Sequence, residues 1–237
     1  MLGYRIRAKA EGASKGKTGE ILIYADIGGG GWFSEGIGAK QFADDLKALG
    51  KVDTLQIRIN SAGGDVFDGL AIYNQLRRHE ARKEVSIDGM ALSIASVIAM
   101  AGDTVSMAAN AMMMIHDPWS ITMGTAGDFR QQADLLDQIK ENLVVSYQRK
   151  AKISEQQIRD MMSEETWLRA SDAVEEGFAD LVTPDLAIAA RFDPTRFKNV
   201  PPEIRAKAMR NAETSTPRAD AVRARMQQMQ ERAQPRA

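Results

Sequence analysis

At 237 residues and 44% hydrophobic content, the chain suits one packed domain of about 180–200 residues plus an appendage, which excludes a disordered or disulfide-stapled class. It has no cysteine, so disulfides, thiolate catalysis and cysteine-ligated zinc are excluded, and a cytoplasmic setting is expected. The net charge of −1 hides an asymmetry: residues 191–237 carry 11 Lys and Arg against 5 Asp and Glu (net +6), and the preceding residues 20 against 27 (net −7).

Residues 1–20 are polar and lysine-rich and lack the apolar core of a signal peptide, so none is expected. Ile21 to Ile27 reads as a strand ended by the run Gly28–Gly31. Ser34 is a candidate cap for a helix with Ile37, Phe42, Leu46 and Leu49 on one face, closed by Gly50. Thr54 to Asn60 alternates as a strand, Ser61 to Asp65 is a turn, and Val66 to Arg78 has helical apolar spacing. Glu84 to Asp88 is a short strand, and Ala91 to Ala101 a buried helix rich in small residues. The longest apolar stretch, Met90 to Ala101, falls short of the roughly 20 residues of a transmembrane helix, so no membrane partner is expected.

Thr104–Met107 and Ala111–Ile115 read as buried strands. Asp128 to Lys150 is a long amphipathic helix, and Ser154 opens another with a capping signal. Ser171 to Gly177 is a short helix with a glycine stop, and Ala179–Val182 a last strand. Strands alternating with helices at these lengths predict βαβ units and a parallel sheet. The expected organisation is an N-terminal segment over 1–20, an α/β domain over 21–190, and a basic tail over 191–237 made of a linker and an isolated helix. A basic tail on an acidic body could meet nucleic acid or an acidic partner, and a solvated extension is the favoured reading.

Three places could carry chemistry. The paired glycines of Asn60-Ser-Ala-Gly-Gly-Asp65 let backbone N–H groups face a site with no Cβ in the way, as in an oxyanion hole or a phosphate cradle; the turn also reads as a plain strand-to-helix connection. Ser93 stands where the apolar helix begins, and the helix N-terminus there favours developing negative charge. Ser96, a turn further in, is expected to be packing. His116 ends an apolar strand, so its imidazole can serve a nearby hydroxyl as general base. His79, at a charged helix end, reads as solvated, and two histidines so differently placed predict no metal site. A triad needs an acid. Asp117 is disfavoured because neighbours on a strand point to opposite faces. Glu164-Glu165 is the better candidate, and spacing alone leaves Asp172 and Asp180 open.

Taken together, these residues resemble the proteolytic subunit of the Clp protease (the ClpP family), and within it the phage head-maturation branch, from about Ile21 to Thr183. Asn60-Ser-Ala-Gly-Gly64 looks like the family's glycine turn, Ala91-Leu-Ser-Ile-Ala95 its nucleophile segment, and Met113-Met-Ile-His-Asp-Pro118 its histidine motif. The stretch from Glu165 to Gly177 is similar to the segment that opens with the catalytic acid. The resemblance implies Ser93 as nucleophile, His116 as base, Glu165 as acid, and the N–H groups of Gly63 and Ile94 as oxyanion donors, with no cofactor. Ala62, Ala95 and Glu165 depart from the family's proline, glycine and aspartate. The implied fold is a ClpP/crotonase-like superhelix of ββα units with a mostly parallel sheet and a protruding handle helix, Asp128–Lys150. The implied assembly is a ring homo-oligomer, a heptamer or double ring, that can be served by an unfoldase ATPase. The implied substrate is a capsid or scaffold protein, cut in the host cytoplasm or prohead, with the basic tail itself as one candidate. Two alternatives remain at this point: a crotonase-like acyl-thioester enzyme, and an inactive ring-forming assembly protein.

Overall fold

Alternation of apolar and polar residues builds the sheet. In the computed structural model, which describes residues 3–9, 16–28, 36–185 and 193–213, the first strands are β1 (Tyr4–Lys9) and β2 (Thr18–Ile23). Then come α1 (Ala39–Leu49), β3 (Thr54–Ser61), α2 (Val66–Arg78), β4 (Arg82–Leu92), α3 (Ile94–Ala99), β5 (Thr104–Ala108) and β6 (Met112–Ile115). The long helix α4 (Ala126–Gln148), α5 (Glu155–Ser163), β7 (Thr166–Arg169), α6 (Ala170–Glu175) and β8 (Leu181–Thr183) follow. The chain divides into two compact units, Met1–Ile188 and Ala189–Ala237; the second contains a 3₁₀ turn at Pro194–Arg196 and α7 (Pro202–Glu213).

The strand order is β1-β2-β3-β4-β5-β8, and β6 pairs with β4 and β7. β1–β2 and β6–β7 are antiparallel; the other pairs are parallel. On β3, Leu55, Ile57 and Ile59 are fully buried while Gln56, Arg58 and Asn60 are half-buried. Each isoleucine of this kind contributes about 1.5–3 kcal/mol by leaving water. The same buried cluster takes in Phe42 and Leu46 of α1, Ile72 and Leu76 of α2, all of α3 except Ser96, and Ile139, Leu143, Val144 and Tyr147 of α4. On β2, β3 and β4 the alternate positions carry Glu20, Arg58 and Asp88: Glu20 accepts from Arg7 at 2.8 Å, and Asp88 accepts from Arg58 at 2.6 Å and from the Tyr24 hydroxyl.

β4 is the organising strand. Its first half, Glu84–Ile87, pairs with β5, and its second, Met90–Leu92, with β6. Between these halves the register with β3 shifts, from Ile59 opposite Ile87 to Ser61 opposite Ala91. This irregularity bends the strand so that one element serves two neighbours.

Several expectations shift. The Ala91–Ala101 run is not one helix: Ala91 and Leu92 complete β4, Ser93 turns the chain, and α3 starts at Ile94. A continuous apolar run buried on both sides looks the same as strand or helix, and here pairing with Met113 and Met114 decides for strand. β2 ends at Ile23, before the expected Ile27, which instead makes single bridges to Ile37 and Gly64. α1 begins after Gly38, with no side-chain cap; Ser34 and Gly29–Gly31 lie outside the described residues, as does the tail beyond 213. β1 and β7 were not expected. β1 alternates Tyr, Ile and Ala with Arg, Arg and Lys, the composition of an edge strand.

Candidate active site

Three parallel strands end side by side. β3 runs into the glycine turn, β4 into Ser93, and β6 into His116. Leu92 pairs with Met114 and the Ser93 N–H donates to the Met114 carbonyl at 2.9 Å, which sets the residues after the two strand ends against each other. Ser93 Oγ lies 2.8 Å from His116 Nε2. Both side chains are half-buried, open enough for a substrate to reach. The carboxyl ends of parallel strands are where such sheets form sites.

Ser93 has φ 54° and ψ −132°, the sharp strand-to-helix turn that pushes a hydroxyl out of the fold. Its carbonyl accepts from the Ser96 N–H at 2.9 Å and from Ser96 Oγ at 2.5 Å. Ser96, expected as packing, is therefore a polar brace: its hydroxyl also meets the Tyr147 hydroxyl at 2.7 Å. Burial pushes the Tyr147 phenol well above its ordinary pKa, so it stays protonated.

The candidate acids separate by what they touch. Asp117 pairs with Lys140 at 2.9 Å. Asp172 accepts the Arg169 N–H at 3.1 Å and closes the first turn of α6. Asp180 accepts the Val105 N–H at 2.6 Å and pairs with Lys150 at 2.8 Å. Glu164 is exposed at the end of α5. Glu165 alone of these is buried, at 7% exposure, and its Oε1 accepts from Trp167 Nε1 at 3.3 Å. The antiparallel pairing runs from Met112–Arg169 to Ile115–Thr166, and one further step brings Glu165 across from His116. The Met162 carbonyl accepts the N–H groups of both Asp117, at 3.0 Å, and Glu165, at 3.1 Å, which ties the two segments together. Among the described residues, only Ser93 and Glu165 are non-glycine residues with positive φ, both at 54°.

The glycine turn separates its two N–H groups. Gly63, at φ 87°, packs so closely that a Cβ would sit 2.7 Å from the Leu92 carbonyl oxygen and 2.7 Å from Ser93 Cβ. Its own N–H, however, donates to Ser61 Oγ at 3.2 Å within the turn and is not free for a substrate. The next N–H, that of Gly64, and the Ile94 N–H at the start of α3 meet no protein acceptor among the described residues. His79 is far from this constellation in role: it ends α2, and its Nδ1 accepts the Ala81 N–H at 3.1 Å. Burial lowers its pKa. Among the described residues no group of His, Asp or Glu is arranged to hold a metal ion, and no helix is long and apolar enough to cross a membrane.

The family model described as Clp protease matches residues 39–185. The ATP-dependent Clp protease proteolytic subunit 1 of Salinibacter ruber is 31% identical over 141 residues, covering 58% of this chain and 60% of that protein. The proteolytic subunit of Deinococcus radiodurans is 31% identical over 130 residues, covering 54% and 64%. The chain thus spans under two thirds of the length of these two relatives. A mutant of ClpP1 from Listeria monocytogenes has a similar fold, with TM-score 0.59 and 22% identity, covering 70% of this chain and 91% of that one.

Proposed function

Since the chain belongs to the Clp protease family, we propose that it is a serine endopeptidase whose triad is Ser93, His116 and Glu165. The observation that carries the reading is the 2.8 Å contact between Ser93 Oγ and His116 Nε2 at a strained strand-to-helix turn. Ser93 Oγ attacks the peptide carbonyl while His116 Nε2 takes its proton. The carbonyl oxygen becomes an oxyanion held by the N–H groups of Ile94 and Gly64, the latter in place of Gly63. His116 returns the proton to the leaving amine as the C–N bond breaks, leaving an acyl-Ser93. Water, deprotonated by the same imidazole, then releases the acid and restores Ser93. Glu165 orients the imidazole and balances the charge it carries between steps. An acyl-thioester enzyme would need no serine–histidine contact, and an inactive assembly protein no strain at Ser93.

The substrate is a protein. The motif likeness to the head-maturation branch supports a capsid or scaffold protein cut in the prohead, with the basic tail as a cleavable segment. Rings of this chain, fed or not by an unfoldase ATPase, belong to the same proposal.

A fluorophosphonate forms its covalent adduct only with an activated serine. Wild type is expected to gain one adduct mass on the peptide containing Ser93. Ser93→Ala should gain none and should lose roughly four to six orders of magnitude in peptide hydrolysis. Equal labelling of both proteins, or of neither, would rule out this chemistry.

A further inference from the structure

Lys140 lies on α4, and the chemistry described so far does not use it. Its side chain is 18% exposed, unusually covered for a lysine. Its ammonium is 2.9 Å from Asp117 Oδ1 and donates to Asp117 Oδ2 at 3.1 Å and to Ser163 Oγ at 2.8 Å. Ser163 Oγ in turn donates to Asp117 Oδ2 at 3.3 Å, which closes the triangle. Asp117 is the residue after His116, and Ser163 ends α5 just before Glu164 and Glu165. One ammonium therefore grips both the segment that presents the base and the segment that presents the acid. The Met162 carbonyl joins the same two segments on the backbone side.

We infer that Lys140 is a positioning residue: through Asp117 and Ser163 it holds His116 and Glu165 in register and couples α4 to the competence of the site. The inference rests on the serine-peptidase reading above. Neither grip is supplied by the apolar core. β7 has four residues and a single partner strand, so beside the shared Met162 carbonyl the ammonium is a second, side-chain tie between the turn before β7 and the strand exit of β6. Asp117 shares a peptide unit with His116, so a displaced Asp117 carries the imidazole with it. Misplacing a reacting group by about 1 Å can lower a rate by roughly a hundredfold. A lysine suits this role because its three donors can serve a carboxylate and a hydroxyl at once.

The test measures fluorophosphonate inactivation of the full chain, resolved into kinact and KI. Lys140→Met keeps the stem length and removes the charge. Its kinact is expected to fall about 10–100-fold with KI within about twofold, because the serine still meets the reagent but the base is misaligned. Asp117→Asn should cause a similar loss, and the double variant should be no slower than the worse single one. Ser163→Ala, at the exposed arm, should cost less. A kinact for Lys140→Met within twofold of wild type, or losses that multiply in the double variant, would overturn the inference. If Lys140→Met does not fold, Asp117→Asn and Ser163→Ala decide: unchanged kinact in both overturns it, and a fall with intact melting supports it. Wild type that fails to label at Ser93 overturns the peptidase reading and this role together. Wild type that labels beside an equally fast Lys140→Met overturns the positioning role alone.

Discussion

Positive φ at a non-glycine residue costs on the order of 1–3 kcal/mol and persists only where surroundings enforce it. Ser93 is enforced on both sides, by its N–H on Met114 and by its carbonyl under Ser96. Glu165 carries the same strain, and its buried carboxyl accepts from the Trp167 indole N–H. Glu165→Gln keeps the shape and removes the charge that would balance an imidazolium, so turnover is expected to drop by about 10³–10⁴ with an unchanged melting temperature. Steady-state hydrolysis of a peptide amide measures this. A loss under tenfold would remove Glu165 from the triad, and Glu164→Gln on the exposed side of the same turn should stay near wild type. Ser93 and His116 could be singled out in the sequence because one stands where an apolar helix pattern begins and the other ends an apolar strand pattern, and neither reading needs knowledge of pairing. The candidate acid could not be, because Glu164, Glu165, Asp172 and Asp180 are separated only by strand register, burial and the donor each one meets. Two adjacent glycines were equally opaque: Gly63 and Gly64 differ in which N–H is spent inside the turn, a matter of backbone angles that residue type does not encode.

At the scale of elements, the alternating strands and amphipathic helices could be read directly, while the boundary inside the apolar run Met90–Ala101 could not. Small residues there suit close packing in either conformation, and the choice came from β6 lying alongside. α4 shows how a long helix can serve a site it does not contain. Lys140 and Tyr147 are two turns apart on one face: the first reaches the segments that carry His116 and Glu165, the second the Ser93 turn through Ser96. The two hydroxyls of the second arm differ in what their loss leaves behind. Tyr147→Phe deletes one hydrogen bond, and Ser96 keeps the Ser93 carbonyl, so the cost is about 1 kcal/mol. Ser96→Ala deletes two and strands the fully buried Tyr147 hydroxyl, for about 1–3 kcal/mol. In a chain of this size, each kcal/mol lowers the melting temperature by about 2–4 °C. Calorimetry should therefore rank Ser96→Ala below Tyr147→Phe, and the reverse order would mean that the Ser96 hydroxyl does not brace the turn.

Among the described residues of the Met1–Ile188 unit, most exposed large apolar side chains follow His116, with Phe67 on α2 exposed as well. Trp119, Ile121 and Met123 occupy alternate positions in the segment between β6 and α4, and Ile121 and Met123 are 85% and 92% exposed. Phe129, early in α4, is exposed as well. A period-two apolar row that pairs with no strand among the described residues matches one half of a sheet contact. Leaving such side chains in water forgoes about 25 cal/mol for each Å² that a partner would cover. In the proposed assembly a second copy of this chain supplies the matching row, since a two-fold contact sets the same patch against itself. Such a contact suits the stacking of two rings in the proposed assembly rather than the head-to-tail contact that closes one ring. Ile121→Asp with Met123→Asp places two carboxylates on each side of the two-fold contact, where they would face their own copies and repel. Light scattering should then report a smaller particle than wild type at equal protein concentration, with the monomer's circular dichroism unchanged because neither side chain belongs to the core. High salt should recover part of the assembly by screening the new charges. A particle of wild-type mass would instead mean that the copies meet elsewhere, and the exposed row would need another partner.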